Sequence, residues 1–327
     1  MAKLNLVQAL NLALRQEMER DDRVIVLGED VGRDGGVFRV TEGLIERFGE
    51  ERVVDTPLAE SAIVGTAIGM AVAGLRPVCE IQFDGFTYYG MHQIEAHATR
   101  LRWRSRGRFH VPLVVRAPYG GGVRALEHHS ESREALWAHL PGLKTVIPSG
   151  PRNARALLLS AIRDPDPVLF FEPKALYRAF REEVPEEEET LPIGRSRIAR
   201  EGGDLTLVAY GAMLRPTLEA AEELSRQRGA EAEVIDLLTI SPLDDTLLVA
   251  SARKTGRVAV VHEAPRSFGP GAEIVARLVE KAFYHLEAPV ARVTGYDVII
   301  PLFRREAYYL PDVPRIVQAA RRLLEAP

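Results

Sequence analysis

Short runs of apolar and β-branched residues alternate along this chain with segments that have helical spacing. The runs are mostly continuous rather than alternating in polarity, which is typical of parallel strands buried on both faces of a sheet. In the first half we predict strands at residues 24–27, 78–83, 113–115, 145–147 and 168–171. The predicted helices there are residues 61–75, 88–104 and 151–163. This pattern predicts an α/β fold with a doubly wound sheet.

A glutamate-rich segment divides the chain. Residues 181–194 contain six glutamates and two prolines, which oppose compact structure, so we predict an acidic surface linker. The linker separates a first domain, residues 1–180, from a smaller doubly wound domain, residues 195–327. In the second domain the predicted strands are residues 205–209, 232–237, 258–261 and 291–293. The predicted helices are residues 216–227, 244–255, 271–286 and 312–324.

Charge and cysteine content exclude several classes of protein. The net charge of -4 provides no basic excess for neutralising phosphates, so we expect no nucleic-acid partner. A single cysteine, Cys79, cannot form an intramolecular disulfide. No segment approaches the roughly 20 apolar residues of a membrane span, and the first residues resemble an amphipathic helix rather than a signal peptide. We therefore expect a cytoplasmic protein without a membrane partner.

The segment DTPLAE, residues 55–60, precedes a predicted helix that contains regularly spaced glycines. Thr56 is suited to cap this helix, and Pro57 to occupy its first position. Glu60 then lies near the positive end of the helix, where a carboxylate contributes about 0.3–1 kcal/mol. On these grounds alone the glutamate is structural, and Gly65 and Gly69 allow close packing.

A second candidate segment combines glycines with histidines. Gly120, Gly121 and Gly122 are followed by His128-His129-Ser130. The ordinary interpretation is a flexible turn that carries surface histidines.

Resemblance to known families favours a functional interpretation of both segments. The spacing of Glu60, Gly65 and Gly69 resembles the motif of the pyrimidine-binding domain in thiamin-diphosphate enzymes, although Thr66 occupies a usually apolar position. Matches in the same order extend along the chain and resemble the β subunits of the E1 component of 2-oxo acid dehydrogenase complexes. They include LGEDVG (27–32), EIQF (80–83), PGLKTVIPS (141–149), GDLTLVAYGAM (203–213) and KTGRVAVVHEAPR (254–266).

The resemblance implies a role for each candidate residue. It implies a thiamin-diphosphate pyrimidine-binding domain followed by a transketolase C-terminal-like domain. Glu60 matches the carboxyl group that bonds N1′ of the cofactor, so that the cofactor's own imino nitrogen acts as the base. Leu58, Gln82 and Phe86 match positions around the aminopyrimidine. His129 matches a proton donor in the reductive acylation of a lipoyl group.

An absent motif indicates that the site is shared. Thiamin enzymes hold magnesium and the diphosphate at a Gly-Asp-Gly motif, which this sequence lacks. The family supplies it on a separate α subunit in an α2β2 tetramer, which also binds the E2 lipoyl acyltransferase through the E2 subunit-binding domain. Some members bind potassium; the matching residues here are Leu113, Val114, Ala161, Asp164 and Asp166.

Three alternatives remain open at this point. Another split thiamin enzyme, such as acetoin dehydrogenase, shares the same motifs. A noncatalytic nucleotide-binding or scaffold protein is more distant, because no Gly-x-Gly-x-x-Gly turn follows the first strand. For the substrate, Phe86 and the string LEHH (126–129) favour pyruvate, whereas FFEPK (170–174) also occurs in branched-chain 2-oxo acid dehydrogenases.

Overall fold

The computed structural model describes residues 1–326. Its larger sheet has seven strands in the order β12-β6-β7-β5-β4-β2-β3, and β12 alone is antiparallel to its neighbour. The strands of this sheet are β2 (Val24–Gly28), β3 (Val53–Asp55), β4 (Arg76–Glu80), β5 (Val114–Tyr119), β6 (Lys144–Val146), β7 (Val168–Pro173) and β12 (Thr239–Ser241). A separate antiparallel pair consists of β1 (Ala2–Leu4) and β8 (Glu182–Val184).

Successive residues of a strand point to opposite faces of the sheet, and here they belong to two different hydrophobic clusters. Helices therefore cover both faces of this sheet. α1 and α7 pack together on one face. The other face is covered by α3 and by the helical segment of residues 87–104. The helices of this part are α1 (Leu6–Arg20), α2 (Leu44–Phe48), α3 (Glu60–Val72), α4 (Thr87–Gln93), α5 (Thr99–Arg104), α6 (Glu134–Ala138) and α7 (Pro151–Arg163).

The smaller sheet has five strands in the order β14-β13-β10-β11-β9, and only β9 is antiparallel. Its strands are β9 (Arg197–Arg200), β10 (Leu205–Ala209), β11 (Ala232–Asp236), β13 (Val258–Val261) and β14 (Ala291–Val293). The accompanying helices are α8 (Leu214–Arg228), α9 (Asp245–Thr255), α10 (Pro270–Ala282), α11 (Glu306–Tyr309) and α12 (Val313–Leu324). α8 pairs with α12 on one face and α9 with α10 on the other. The predicted α/β class with two doubly wound sheets is confirmed.

Three local predictions differ from the structure. The strand predicted at 78–83 ends at Glu80, because the chain turns into a 3-10 helix at Asp84–Phe86. The helix predicted at 88–104 is interrupted by a π-helical turn, Ile94–Ala98. The cap predicted at Thr56 is not formed: α3 begins at Glu60, next to the predicted start at residue 61, and the Thr56 amide donates to the Gly28 carbonyl at 2.9 Å, which keeps the chain extended.

The glutamate-rich segment has more structure than a linker of repelling charges. Part of it forms β8, and the side chains of Arg152 and Arg163 pair with Glu189 and Glu188. Arg155 donates to the Glu186 and Glu187 carbonyls at 3.3 and 2.8 Å. These arginines offset the like charges and fix the segment against α7. The domain boundaries themselves stay a prediction.

A buried ion cluster crosses the larger sheet. Arg116 on β5 donates from Nε to Glu172 at 2.6 Å and from its terminal nitrogen to Glu80 at 2.8 Å. The Tyr177 hydroxyl donates to the second oxygen of Glu172 at 2.7 Å. The two carboxylates raise the pKa of Arg116 despite its burial. Each charge therefore has a partner, as a buried charge requires.

Candidate active site

The carboxyl ends of three neighbouring parallel strands, β4, β2 and β3, meet at one edge of the larger sheet. The loops that leave these ends converge, as they do at ligand sites of open α/β sheets. Here they form an open cavity of about 520 Å³. Its lining is Glu29, Leu58, Ala59, Glu60, Ser61, Gln82, Phe86 and Tyr89. The structure thus brings together all four residues predicted to contact a cofactor.

Glu60 is the first residue of α3 and is 8% exposed. It has no hydrogen-bond or ion-pair partner among residues 1–326. Its carboxyl group borders the open cavity, so no protein contact occupies its oxygens there. Glu60 is therefore available to bond a group that enters the cavity.

Glu29 is a second carboxyl group in the cavity, and sequence reasoning missed it as a site residue. It follows β2 directly, and it is 7% exposed. Burial, followed by the negative charge of Glu60, raises the pKa of Glu29 to about 6. Its position just after a buried parallel strand was the available signal, because such positions face the ligand edge of a sheet.

The remaining lining is largely apolar and open to solvent. Leu58 is 78% exposed at the cavity mouth, and Tyr89 is exposed beside it. Phe86 is half-buried. Gln82 donates from Nε2 to Asp30 at 3.1 Å, which leaves its carbonyl oxygen for another donor. Apolar side chains around a few polar groups are typical of the lining of ligand pockets.

His129 lies beside this cavity, against two aromatic rings. Its imidazole centroid is 4.2 Å from the ring of Phe83 and 5.3 Å from that of Phe86, nearly perpendicular to the latter. Nδ1 lies 2.7 Å from the carbonyl oxygen of Glu127. A carbonyl can only accept, so Nδ1 carries the hydrogen, and Nε2 has no partner among the residues that the structure describes.

A glycine makes this placement of the histidine possible. A Cβ atom on Gly85 would lie 2.0 Å from the carbonyl oxygen of His128, so any side chain there would displace the segment. His128 itself has a left-handed backbone, φ 64°, and its imidazole Nδ1 lies 3.8 Å from Glu131. The adjacent histidines therefore have different surroundings, and only His129 packs on Phe83 and Phe86.

The residues predicted near potassium do not form a set of free carboxylates. Asp164 accepts two hydrogen bonds from Lys144 Nζ, at 2.7 and 2.6 Å. Asp166 is paired with Arg102. Within residues 1–326 no group of three or more acidic, histidine or cysteine side chains is placed to hold a metal. A potassium ion would depend on main-chain carbonyls, such as those of Leu113, Val114 and Ala161, and it stays a prediction.

Comparison with known proteins agrees with this architecture. A family model described as "Transketolase, pyrimidine binding domain" matches residues 2–179, and one described as "Transketolase, C-terminal domain" matches residues 194–316. A solved structure described as "Split gene transketolase, inactive beta4 tetramer" has the same fold, with a TM-score of 0.82, 24% identity and coverage of 99% of both chains. In the part of the chain that the structure describes, no helix is long and apolar enough to cross a membrane.

Curated relatives match over the full length. The pyruvate dehydrogenase E1 component subunit beta of Acholeplasma laidlawii is 52% identical over 326 residues, covering 100% of this chain and 99% of its own. The protein of the same name from Bacillus subtilis (strain 168) is 50% identical over 325 residues, covering 99% and 100%. The family predicted from the motifs is thus confirmed. The chain belongs to the β subunits of the E1 component of thiamin-dependent 2-oxo acid dehydrogenases.

Proposed function

We propose that this chain and a separate α subunit catalyse the oxidative decarboxylation of a 2-oxo acid and the reductive acylation of the lipoyl group of E2. The observation that carries the proposal is Glu60, a nearly buried carboxyl group without a partner that faces an open cavity. No feature of the fold requires an unpaired carboxyl group at this point. A cofactor that forms a hydrogen bond with Glu60 would require one.

The cavity residues fit the pyrimidine half of thiamin diphosphate. Glu60 would share a proton with the ring nitrogen N1′, Phe86 would pack on the ring, and Leu58 would cover it. The bound cofactor would supply the nucleophilic carbon and the electron sink for decarboxylation. The chain's own residues would hold the ring and share a proton with it at N1′.

The same cavity lacks what the diphosphate needs. No lysine or arginine lines it, and its two acidic residues would repel a diphosphate. Magnesium ligands and the diphosphate site are therefore assigned to the α subunit, in an α2β2 tetramer. The exposure of Leu58 supports this division, because an α subunit seated there would bury it.

His129 is proposed as the proton donor during acyl transfer to the lipoyl group. Its Nε2 has no partner within residues 1–326, and its ring adjoins Phe86 at the cavity wall. In its protonated form the imidazole can deliver a proton to a sulfur that leaves the lipoyl disulfide. His128 receives no role, because it does not pack on the aromatic wall.

Pyruvate is the proposed substrate, because the relatives at 50–52% identity are named pyruvate dehydrogenases. Branched-chain 2-oxo acids come next, and an acetoin dehydrogenase subunit is the remaining alternative. The C-terminal domain contributes no residue to the cavity and is proposed to dock the E2 subunit-binding domain. The cytoplasm is the proposed location.

Calorimetry of thiamin diphosphate and magnesium binding tests this proposal. We expect no binding by this chain alone and tight binding after mixing with a candidate α subunit. The mixture should then release carbon dioxide from pyruvate faster than from 3-methyl-2-oxobutanoate. Tight binding by the isolated chain would contradict the shared site. If the mixture binds the cofactor but prefers 3-methyl-2-oxobutanoate, the proposed substrate changes and the shared site stands.

A further inference from the structure

The segment that carries His129 is an irregular loop, residues 120–133, between β5 and α6; we call it the histidine loop. Gly120 and Gly122 have φ values of +81° and +91°, and Arg124 is also left-handed. In such a conformation few backbone amides pair with regular structure. Their partners must come from elsewhere, because buried amides rarely remain unpaired.

Two carboxylates of the C-terminal domain supply these partners. Glu263, just after β13, accepts the Gly121 amide at 2.7 Å, and Glu306, the first residue of α11, accepts the Arg124 amide at 2.9 Å. Both side chains are almost fully buried, with 2% and 3% exposure. Hydrogen bonds from amides to carboxylates are stronger than those between neutral groups, and burial strengthens them further.

The hydrogen bonds from the first domain reach only the ends of the loop. Lys174 donates to the Gly120 carbonyl at 2.5 Å, and Asp84 accepts the Arg133 amide at 2.9 Å. The contacts from Glu263 and Glu306 lie between these ends, on the stretch that leads to His129. The fit is close, because a Cβ atom on Gly120 would lie 2.7 Å from Glu263.

We infer that Glu263 and Glu306 are positioning residues for His129, so that the C-terminal domain sets the geometry of acyl transfer. This inference rests on the proposed role of His129. Without the two carboxylates, the middle of the histidine loop loses its hydrogen bonds to the C-terminal domain, and only the packing contacts with the first domain keep the imidazole on Phe83 and Phe86. A displacement of about 1 Å at a reacting group can lower a rate about 100-fold.

Variants at Glu306 test the inference. Glu306→Ala removes the acceptor for the Arg124 amide, whereas Glu306→Gln keeps an oxygen in the same place. Glu233→Ala is the matched control, because Glu233 is equally buried in the C-terminal domain, pairs with Lys254 and does not touch the loop. Amide exchange of residues 121–130 is measured in the chain alone and after mixing with the α subunit.

In Glu306→Ala we expect faster exchange across residues 121–130 and about tenfold lower kcat with a lipoyl domain as acceptor. Decarboxylation with an artificial oxidant and the KM for thiamin diphosphate should change little. Glu306→Gln should restore most of the lipoyl-dependent rate, and Glu233→Ala should match the unmodified protein in every assay.

Two results would overturn the inference: unchanged loop exchange in Glu306→Ala, or equal losses with both acceptors. The amide exchange requires no activity, so it separates this inference from the proposed function. Faster exchange in a protein that never releases carbon dioxide would support the anchoring and contradict the proposed function alone.

Discussion

Two groups of buried carboxylates lie close together on the larger sheet, and their surroundings are opposite. Glu80 is the last residue of β4 and lies opposite Gly28, the last residue of β2. Glu29 follows Gly28 directly. Glu80 belongs to the Arg116 cluster and has a guanidinium at 2.8 Å. Glu29 and Glu60, on the cavity side, have no cation at all among the described residues.

The difference separates charges that serve the fold from charges that serve a ligand. Removing one partner of a buried ion pair exposes the other to its full desolvation cost, so the Arg116 cluster is stable only when complete. The cavity glutamates are incomplete in the chain itself, and they repel each other. Such unfavourable groups are expected at functional sites, where a ligand supplies the missing partner.

The strongest test of the cavity side is Glu60→Ala. We expect decarboxylation in the assembled enzyme to fall by at least about 10³-fold, because cofactor activation depends on proton sharing at N1′. Folding and assembly with the α subunit should be nearly unchanged, since no protein group relies on this carboxyl. Turnover with an artificial oxidant, circular dichroism and sedimentation measure these effects. Retained turnover would remove Glu60 from the mechanism.

The corresponding test of the buried Arg116 cluster is Arg116→Met. It leaves Glu80 and Glu172 buried without their cation, and we expect a loss of about 3–5 kcal/mol in the free energy of unfolding. The matched variant Glu80→Gln/Arg116→Met/Glu172→Gln removes the uncompensated charges and should recover most of the loss. Urea unfolding measures both. If the two variants are equally unstable, packing rather than charge is the cause.

A smaller and selective effect is expected for His129→Ala. Activity with a lipoyl domain should fall by about 10²-fold, because the proton donor is lost, while decarboxylation with an artificial oxidant falls much less. His128→Ala, which leaves the contacts with Phe83 and Phe86 intact, is the control and should affect neither assay. Equal losses in both assays would indicate that His129 holds the cavity wall rather than transferring a proton.

The smallest effect is a gain in stability from Glu29→Gln. Folding raises the pKa of Glu29 from 4.5 to about 6, so ionised Glu29 destabilises the folded chain above pH 6 and does not below pH 4.5. The variant should therefore be more stable by about 1 kcal/mol at pH 8, and the gain should vanish near pH 4.5. Unfolding at several pH values measures it, with exposed Glu50→Gln as control. A gain independent of pH would refute the electrostatic explanation.

The sequence predicted the regular elements well, because their signals are local. The strand predicted at 205–209 and the helix at 151–163 have the observed bounds, since continuous apolar runs and a proline at the first helical turn mark them directly. The cap predicted at Thr56 was wrong, because the amide of Thr56 donates to the carbonyl of Gly28 in β2. No local pattern reports such a contact.

The residues of the candidate site were predicted from the family resemblance more than from physical patterns in the sequence. Leu58, Glu60, Gln82 and Phe86 come from two segments, and only the strand order places them around one cavity. Glu29 escaped notice because a glutamate after a strand is ordinary until its neighbours are known. The contacts of Glu263 and Glu306 lie 142 and 182 residues from their partners, a separation at which sequence periodicity carries no information.

The placement of β12 determines what a separation of the two halves of the molecule would expose. Although it follows the glutamate-rich segment, β12 pairs with β6 as the edge strand of the larger sheet, and the Ile147 amide donates to the Leu238 carbonyl at 2.9 Å. A protein truncated at residue 194 would leave β6 as a bare edge, open to pairing with other chains. Separating the two halves would therefore expose this sheet edge as well as the surface between them.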